Sequence, residues 1–381
     1  MRLVRKLLLS LLALSAMPAG MAQSAPQSKG DLLVYAGTYT RPNKSKGIYA
    51  WRFQPGTGKL TSIGLVGETE SPSFLAVHPN HKFLYAVNEI SNYKGEKAGS
   101  VTAFALDAKT GMLKALNTVS SRGDGPCHLA IDPTGKWLIV ANYGGGSVAE
   151  YPVHADGTLG EASTFVQHTG SGLDPARQKE PHAHSAVLSP DGKLVFVNDL
   201  GLDKILSYKV AGLTPAHPAF TKIAPGSGPR HLTFAPNRRF AYAITEMTAS
   251  VVAFRYGGGK FEELQTIPNL PEDFAGKSGA EIAVHPSGKF VYASTRGHNS
   301  IAVFAVDPAK GTLTAVDRTP TQGKTPRNFA IDPTGAYLFA ANQDSDNIVV
   351  FKIDAKTGKL TASGDVLEAG SPVCITFVPA K

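Results

Sequence analysis

His231–Glu246, HLTFAPNRRFAYAITE, holds two short runs rich in β-formers, HLTFA and FAYAIT, on either side of the turn signal PNRR. A proline followed by polar residues ends one strand and turns the chain, so the stretch reads as a hairpin. Five further segments align on the same proline: FLAVHPNHKFLYAVNE from Phe74, HLAIDPTGKWLIVANY from His128, SAVLSPDGKLVFVNDL from Ser185, EIAVHPSGKFVYASTR from Glu281 and NFAIDPTGAYLFAANQ from Asn328. A seventh, CITFVP from Cys374, stops after its first strand. The aligned prolines (Pro79, Pro133, Pro190, Pro236, Pro286, Pro333 and Pro379) are 46 to 57 residues apart. That is the spacing of four-stranded propeller blades.

Each unit continues with a third strand, such as SVTAFAL, SVVAFRY, SIAVFAV or NIVVFKI, and a fourth after turns of the type GTLTAV or GKLTAS. We letter the strands a to d from the channel outward and number the blades 1 to 7 by their prolines. The seventh unit supplies only strand a, while LLVYAGTY, GIYAWRF and KLTSIGLV near the N-terminus match b, c and d. The expected fold is therefore an all-β, seven-bladed β-propeller with four antiparallel strands per blade. Its ring is closed by the N-terminal strands and the C-terminal strand, which leaves no long unpaired edge. One domain, residues 31–381, accounts for the length. No recurring Trp-Asp pair marks it as a scaffolding repeat.

Residues 1–22 read as a signal peptide: a basic MRLVRK, an apolar LLLSLLALSAM and small residues before Gln23. The apolar part is too short to span a bilayer comfortably. Residues 23–30 read as a flexible linker, and the mature chain is expected in the periplasm or secreted, without stable membrane insertion. Loss of Arg2, Arg5 and Lys6 lowers the net charge from +8 to +5. The lysines lie mostly in turns rather than in a block, so no nucleic-acid partner is expected. Cys127 and Cys374 sit on strands a of blades separated by a whole blade, too far apart to bridge, and read as packed free thiols.

Seven copies of a blade permit comparison within one chain. Six residues before the proline, where strand a begins, stand Ser73, Cys127, His184, Arg230, Ala280, Arg327 and Val373. Ten residues after it, where strand b returns, stand Glu89, Tyr143, Leu200, Glu246, Arg296, Gln343 and, through the N-terminal strand, Tyr39. Both slots surround one mouth of the central channel. Blade 3 departs further: it has His182-Ala183 where five other units carry a small residue and proline, and it follows the insertion TGSGLDPARQKE. His182, His184, Arg230, Glu246, Arg296 and Arg327 thus converge from four consecutive blades. Guanidinium forks match carboxylate or phosphate oxygens, so the mouth suits a multiply hydrogen-bonded anion. A metal held by His182, His184, His231 and Glu246 is disfavoured because three nearby arginines repel a cation. A Ser-His-Asp triad is weaker still, since Ser185 lies inside strand a and no nucleophile elbow is present.

With PHAH upstream of GPRHLTFAPNRRFAYAITE and YASTRGHNSIAVFAVD downstream, the mature chain resembles the lactonase family of seven-bladed propellers, the 6-phosphogluconolactonase and carboxy-muconate cyclase group. GTYT from Gly37, GPCH from Gly125 and VANY from Val140 fit the same pattern. The resemblance implies a monomeric lactone hydrolase, a carboxylic-ester hydrolase that needs no cofactor and no metal. It implies catalytic His182, Glu246, Arg230 and Arg296, with His184, His128, Arg327, Asn142 and Tyr39 binding a small anionic or sugar lactone. Glu246 or His182 would be the base that activates water, and the arginines would hold anionic groups. A muconate-lactone-type cycloisomerase and a non-catalytic, ligand-binding or surface propeller are the alternatives.

Overall fold

The computed structural model describes residues 30–42, 44–276 and 278–381. The expected signal peptide, and all of the linker except Gly30, lie outside the described residues. Among the described residues, twenty-eight strands form seven four-stranded antiparallel sheets. Six sheets are consecutive runs of four strands, beginning with Phe74–Val77. The seventh pairs the C-terminal strand, Pro372–Pro379, with Leu32–Thr38, followed by Gly47–Gln54 and Lys59–Glu68. Leu32 lies opposite Pro379 and Gly37 opposite Cys374, so the two ends of the chain share blade 7 as the repeat predicts.

Seven hydrophobic clusters occupy the seven blade-to-blade interfaces. This explains the sequence pattern. Strands b, such as Phe240–Thr245 and Tyr337–Asn342, are buried on both faces because each blade is sandwiched between two others. Their apolar runs are therefore nearly continuous, whereas outer strands such as Lys260–Pro268 alternate in burial. Four interfaces carry the same polar clip. Tyr35, Tyr85, Tyr242 and Tyr292 on strands b donate their hydroxyls to the carbonyls of Gly111, Gly157, Gly311 and Gly358 in the next blade, at 3.0, 3.1, 3.1 and 2.7 Å.

The feature that shapes the mouth is a bulge at the start of strand a. In blade 4, Pro229 faces Thr245 and His231 faces Ile244, so Arg230 is an extra residue with no partner across the pair. Cys127, His184, Arg327 and Val373 are displaced in the same way in blades 2, 3, 6 and 7. A bulge re-aims the side chain of its extra residue. The slot six before the proline is thus the bulged position, and its occupants differ from their strand neighbours because they do not pack in the sheet. Both cysteines are buried free thiols.

Candidate active site

Glu246 is the hub. The Glu246 carboxylate accepts from Arg230 Nε at 3.2 Å on Oε2 and from Arg177 Nη2 at 2.6 Å on Oε1, and Arg296 Nη2 forms an ion pair with Oε2 at 2.8 Å. Burial works against its charge, but Arg296, Arg230 and Arg177 outweigh that and hold its pKa at about 2. Arg230 is buried, and desolvation followed by repulsion from Arg327 and Arg296 lowers it to about 10. Its Nη1 also donates to the Ala280 carbonyl, at 2.5 Å.

Below this layer the channel is filled by a relay of polar side chains. Arg230 Nη1 lies 3.3 Å from His231 Nε2, and His231 Nδ1 lies 2.9 Å from Glu281 Oε1. A carboxylate can only accept, so Nδ1 of His231 carries the proton. Asn328 donates to Glu281 and accepts the backbone N–H of Ile375 on the closing strand. His128, His184 and His231 pack edge to face with ring centroids 5.3 Å apart. Burial, reinforced by Arg230, pushes the pKa values of His128 and His184 well below the ordinary imidazole value, so both are neutral. Glu281 stays ionised because His231 and Arg230 overcome its desolvation.

His182 stands apart from this stack at the edge of the mouth. Its ring stacks on Tyr143 with centroids 4.6 Å apart, and its Nδ1 lies 3.0 Å from the Tyr143 carbonyl. The carbonyl fixes the proton on Nδ1 and leaves the Nε2 lone pair as an acceptor. Its backbone N–H donates to Asp199 Oδ1 at 2.8 Å, and Asp199 Oδ2 is 2.6 Å from His168 Nδ1 in a fully buried pair. The histidine is thus fixed by its ring, its Nδ1 and its backbone.

The slot residues converge as the blade alignment expects, with two differences. On the blade 1 side, Tyr39 donates to both oxygens of Glu89, 2.9 Å away, and Arg327 lies over the Tyr39 ring at 5.5 Å. Asn142, expected to touch substrate, is instead wholly buried and donates to the Ser121 carbonyl and Ser147 hydroxyl. It ends strand b one residue short of the mouth slot and braces a turn. The other difference is Arg177. The sequence marks the blade 3 insertion as exceptional, but an insertion has no register within the repeat, so which of its residues reaches the mouth is not readable from spacing. Glu281 and Asn328 are hidden in the sequence for a related reason: they lie one residue past the bulged slot, which spacing alone does not reveal.

Among the described residues, no group of three or more His, Cys, Asp or Glu is placed to hold a metal ion. A cavity of about 590 Å³ lies on the outer rim of blade 7, lined by Thr40, Arg41, Lys44, Lys46, Tyr49 and Glu70 among others. None of the Glu246 cluster lines it.

Fold and site together define a seven-bladed propeller with a basic, histidine-bearing channel mouth. The family model described as "Lactonase, 7-bladed beta-propeller" matches residues 33–377, and the chain belongs to that family. It is 36% identical over 295 residues to a 6-phosphogluconolactonase of Bacillus subtilis (strain 168), a match covering 77% of this chain and 82% of the relative. A 6-phosphogluconolactonase of Formosa agariphila is 35% identical over 300 residues, covering 77% and 84%. The solved structure of the Pseudomonas aeruginosa periplasmic gluconolactonase superposes with a TM-score of 0.86 at 36% identity, covering 92% of this chain and all of that one.

Proposed function

We propose that the protein is an exported lactonase that hydrolyses a sugar-type lactone at the mouth, with His182 as general base. The observation that carries this reading is His182 itself: a firmly held imidazole whose Nδ1 is occupied and whose Nε2 is free, at the rim of an arginine-rich mouth. Nε2 takes a proton from water as the water oxygen attacks the lactone carbonyl carbon. The carbonyl electron pair moves onto oxygen, and the oxyanion faces guanidinium donors. Arg296 suits this task, because its Nε is buried without a hydrogen-bond partner while its Nη2 is held by Glu246. When the intermediate collapses, the ring C–O bond breaks and His182 returns its proton to the leaving alkoxide. The product is an open-chain hydroxy acid.

Glu246 is a poor base in this scheme. A carboxylate with a pKa near 2 takes up a proton weakly at neutral pH, so its part is to align Arg230, Arg296 and Arg177. Export is supported by the basic-apolar-small order of residues 1–22 and by the similarity to a periplasmic gluconolactonase. The reading is tested by assaying the mature chain against sugar lactones with and without phosphate, following acid release. Hydrolysis well above the spontaneous rate is the expected result. Isomerisation of a muconate-type lactone without hydrolysis would favour the cycloisomerase alternative, and no turnover with tight ligand binding the non-catalytic one.

A further inference from the structure

Of the guanidiniums at the mouth, Arg177 differs from the others in kind. Arg230 and Arg296 leave sheet strands or their ends and are 2% and 15% exposed, whereas Arg177 comes from the insertion before blade 3 and is 46% exposed. Only its Nη2 donates to the protein, to Glu246 Oε1 and to the Tyr143 hydroxyl at 3.2 Å. Nε and Nη1 have no partner among the described residues. It therefore bridges the rims of blades 2 and 4 with most of its hydrogen-bonding capacity unspent.

The backbone that carries it is fixed. Asp174 Oδ1 accepts the N–H groups of Ala176 and Arg177, at 2.7 and 3.1 Å. Gln178, fully buried, donates its backbone N–H to the Asp174 carbonyl and its Nε2 to the Leu200 carbonyl, both at 2.8 Å, and accepts Asp174 N–H on Oε1. Gly172 N–H closes the loop onto the Gln178 carbonyl at 2.9 Å. A guanidinium already tethered to Glu246 and Tyr143 on a fixed backbone meets a ligand with little further ordering cost.

The hub does not depend on Arg177. Arg230 and Arg296 both bind Oε2, so Glu246 stays paired if Oε1 loses its donor. Three guanidiniums on one carboxylate also leave a local surplus of two positive charges. Glu281, the other carboxylate acting on Arg230, lies deeper and is held by His231.

We propose that Arg177 is a specificity-determining residue that binds the anionic group of the substrate, and that the group is a phosphate ester on a sugar lactone. A phosphate dianion matches both the surplus charge and the unused Nε–H and Nη1–H donors of Arg177, which a neutral sugar lactone does not need. The proposal rests on the lactonase reading and adds the residue that selects for phosphate.

The test compares wild type with Arg177→Gln and Arg177→Lys, each checked for an unchanged melting transition. Two readouts are taken: kcat and KM on a phosphorylated sugar lactone and its dephosphorylated counterpart, and the affinity for inorganic phosphate by titration calorimetry. Arg177→Gln should lower the kcat/KM ratio of phosphorylated to dephosphorylated substrate by about 10- to 100-fold, chiefly through KM, the loss of one or two charge-assisted hydrogen bonds. Arg177→Lys should recover part of the ratio, since it keeps the charge and loses the fixed Nε–H and Nη1–H donors. Phosphate should bind Arg177→Gln at least about tenfold more weakly. Equal losses on both substrates would overturn the proposal and make Arg177 a brace for Glu246. So would unchanged phosphate affinity, a readout that stands even if no lactone is turned over. Absence of turnover in wild type with phosphate affinity lost on substitution would instead overturn the lactonase reading and keep the anion site.

Discussion

At Glu246 one buried carboxylate neutralises charge on three guanidiniums, and this makes its protonation a stability question before a catalytic one. Its folded-state pKa of about 2 lies below the ordinary 4.5, so its ionisation contributes stability that is fully present above about pH 4.5 and is lost as pH falls toward 2. Replacing it with glutamine leaves Arg230 buried without its counter-charge, a change that costs about 3–5 kcal/mol in comparable buried pairs. Glu246→Gln should therefore melt well below wild type at pH 7. The gap should narrow as pH falls below 4.5, because wild type then loses the same charge. Thermal melts of both proteins from pH 7 downward check this, and a gap that does not change with pH would contradict it. Any activity loss in this variant must accordingly be measured on protein shown to be folded.

At the scale of the element, the a–b hairpin is what the sequence displays most openly, because proline, turn and apolar runs recur seven times. That recurrence made Arg230, Glu246, Arg296 and Arg327 stand out from equivalent positions. It did not show the bulge that turns Arg230 out of its sheet, since an extra residue without a partner leaves no mark in a hydrophobic pattern. Nor did it separate Asn142, at the end of strand b, from Tyr143 one residue on. Arg177 sits in a segment with no counterpart in the other blades, so no internal comparison reached it. The c–d turns are legible and testable. Gly311 has φ +77, a Cβ there would come within 2.3 Å of the Phe240 ring, and its carbonyl receives Tyr242. Gly311→Ala combines left-handed strain with overpacking and should cost about 2–5 kcal/mol. Gly257→Ala has nothing within 4 Å of the new Cβ and should cost no more than about 0.5 kcal/mol. Denaturant unfolding of the two variants side by side separates these outcomes, and equal costs would contradict the close packing of Gly311 on Phe240.

The whole molecule assembles the site from distant parts of the chain. The mouth takes groups from blades 3 to 6 and from the insertion before blade 3. The relay below it runs from Arg230 through His231, Glu281 and Asn328 to Ile375, on the strand that closes the ring against Leu32–Thr38. Only a closed propeller brings these groups together, which is why the fold was readable from repeats while the chemistry required the three-dimensional neighbours of each slot. His182 is the point at which the account commits to a reaction. Removing its ring leaves Glu246, the three guanidiniums and the channel relay in place, so folding and anion binding should persist. The most direct measurement is kcat for His182→Ala against wild type, on folded protein and with one lactone that wild type hydrolyses. Loss of a positioned general base should lower kcat by about 10² or more with KM little changed; retention of wild-type kcat would contradict the assignment of the base and with it the proposed mechanism.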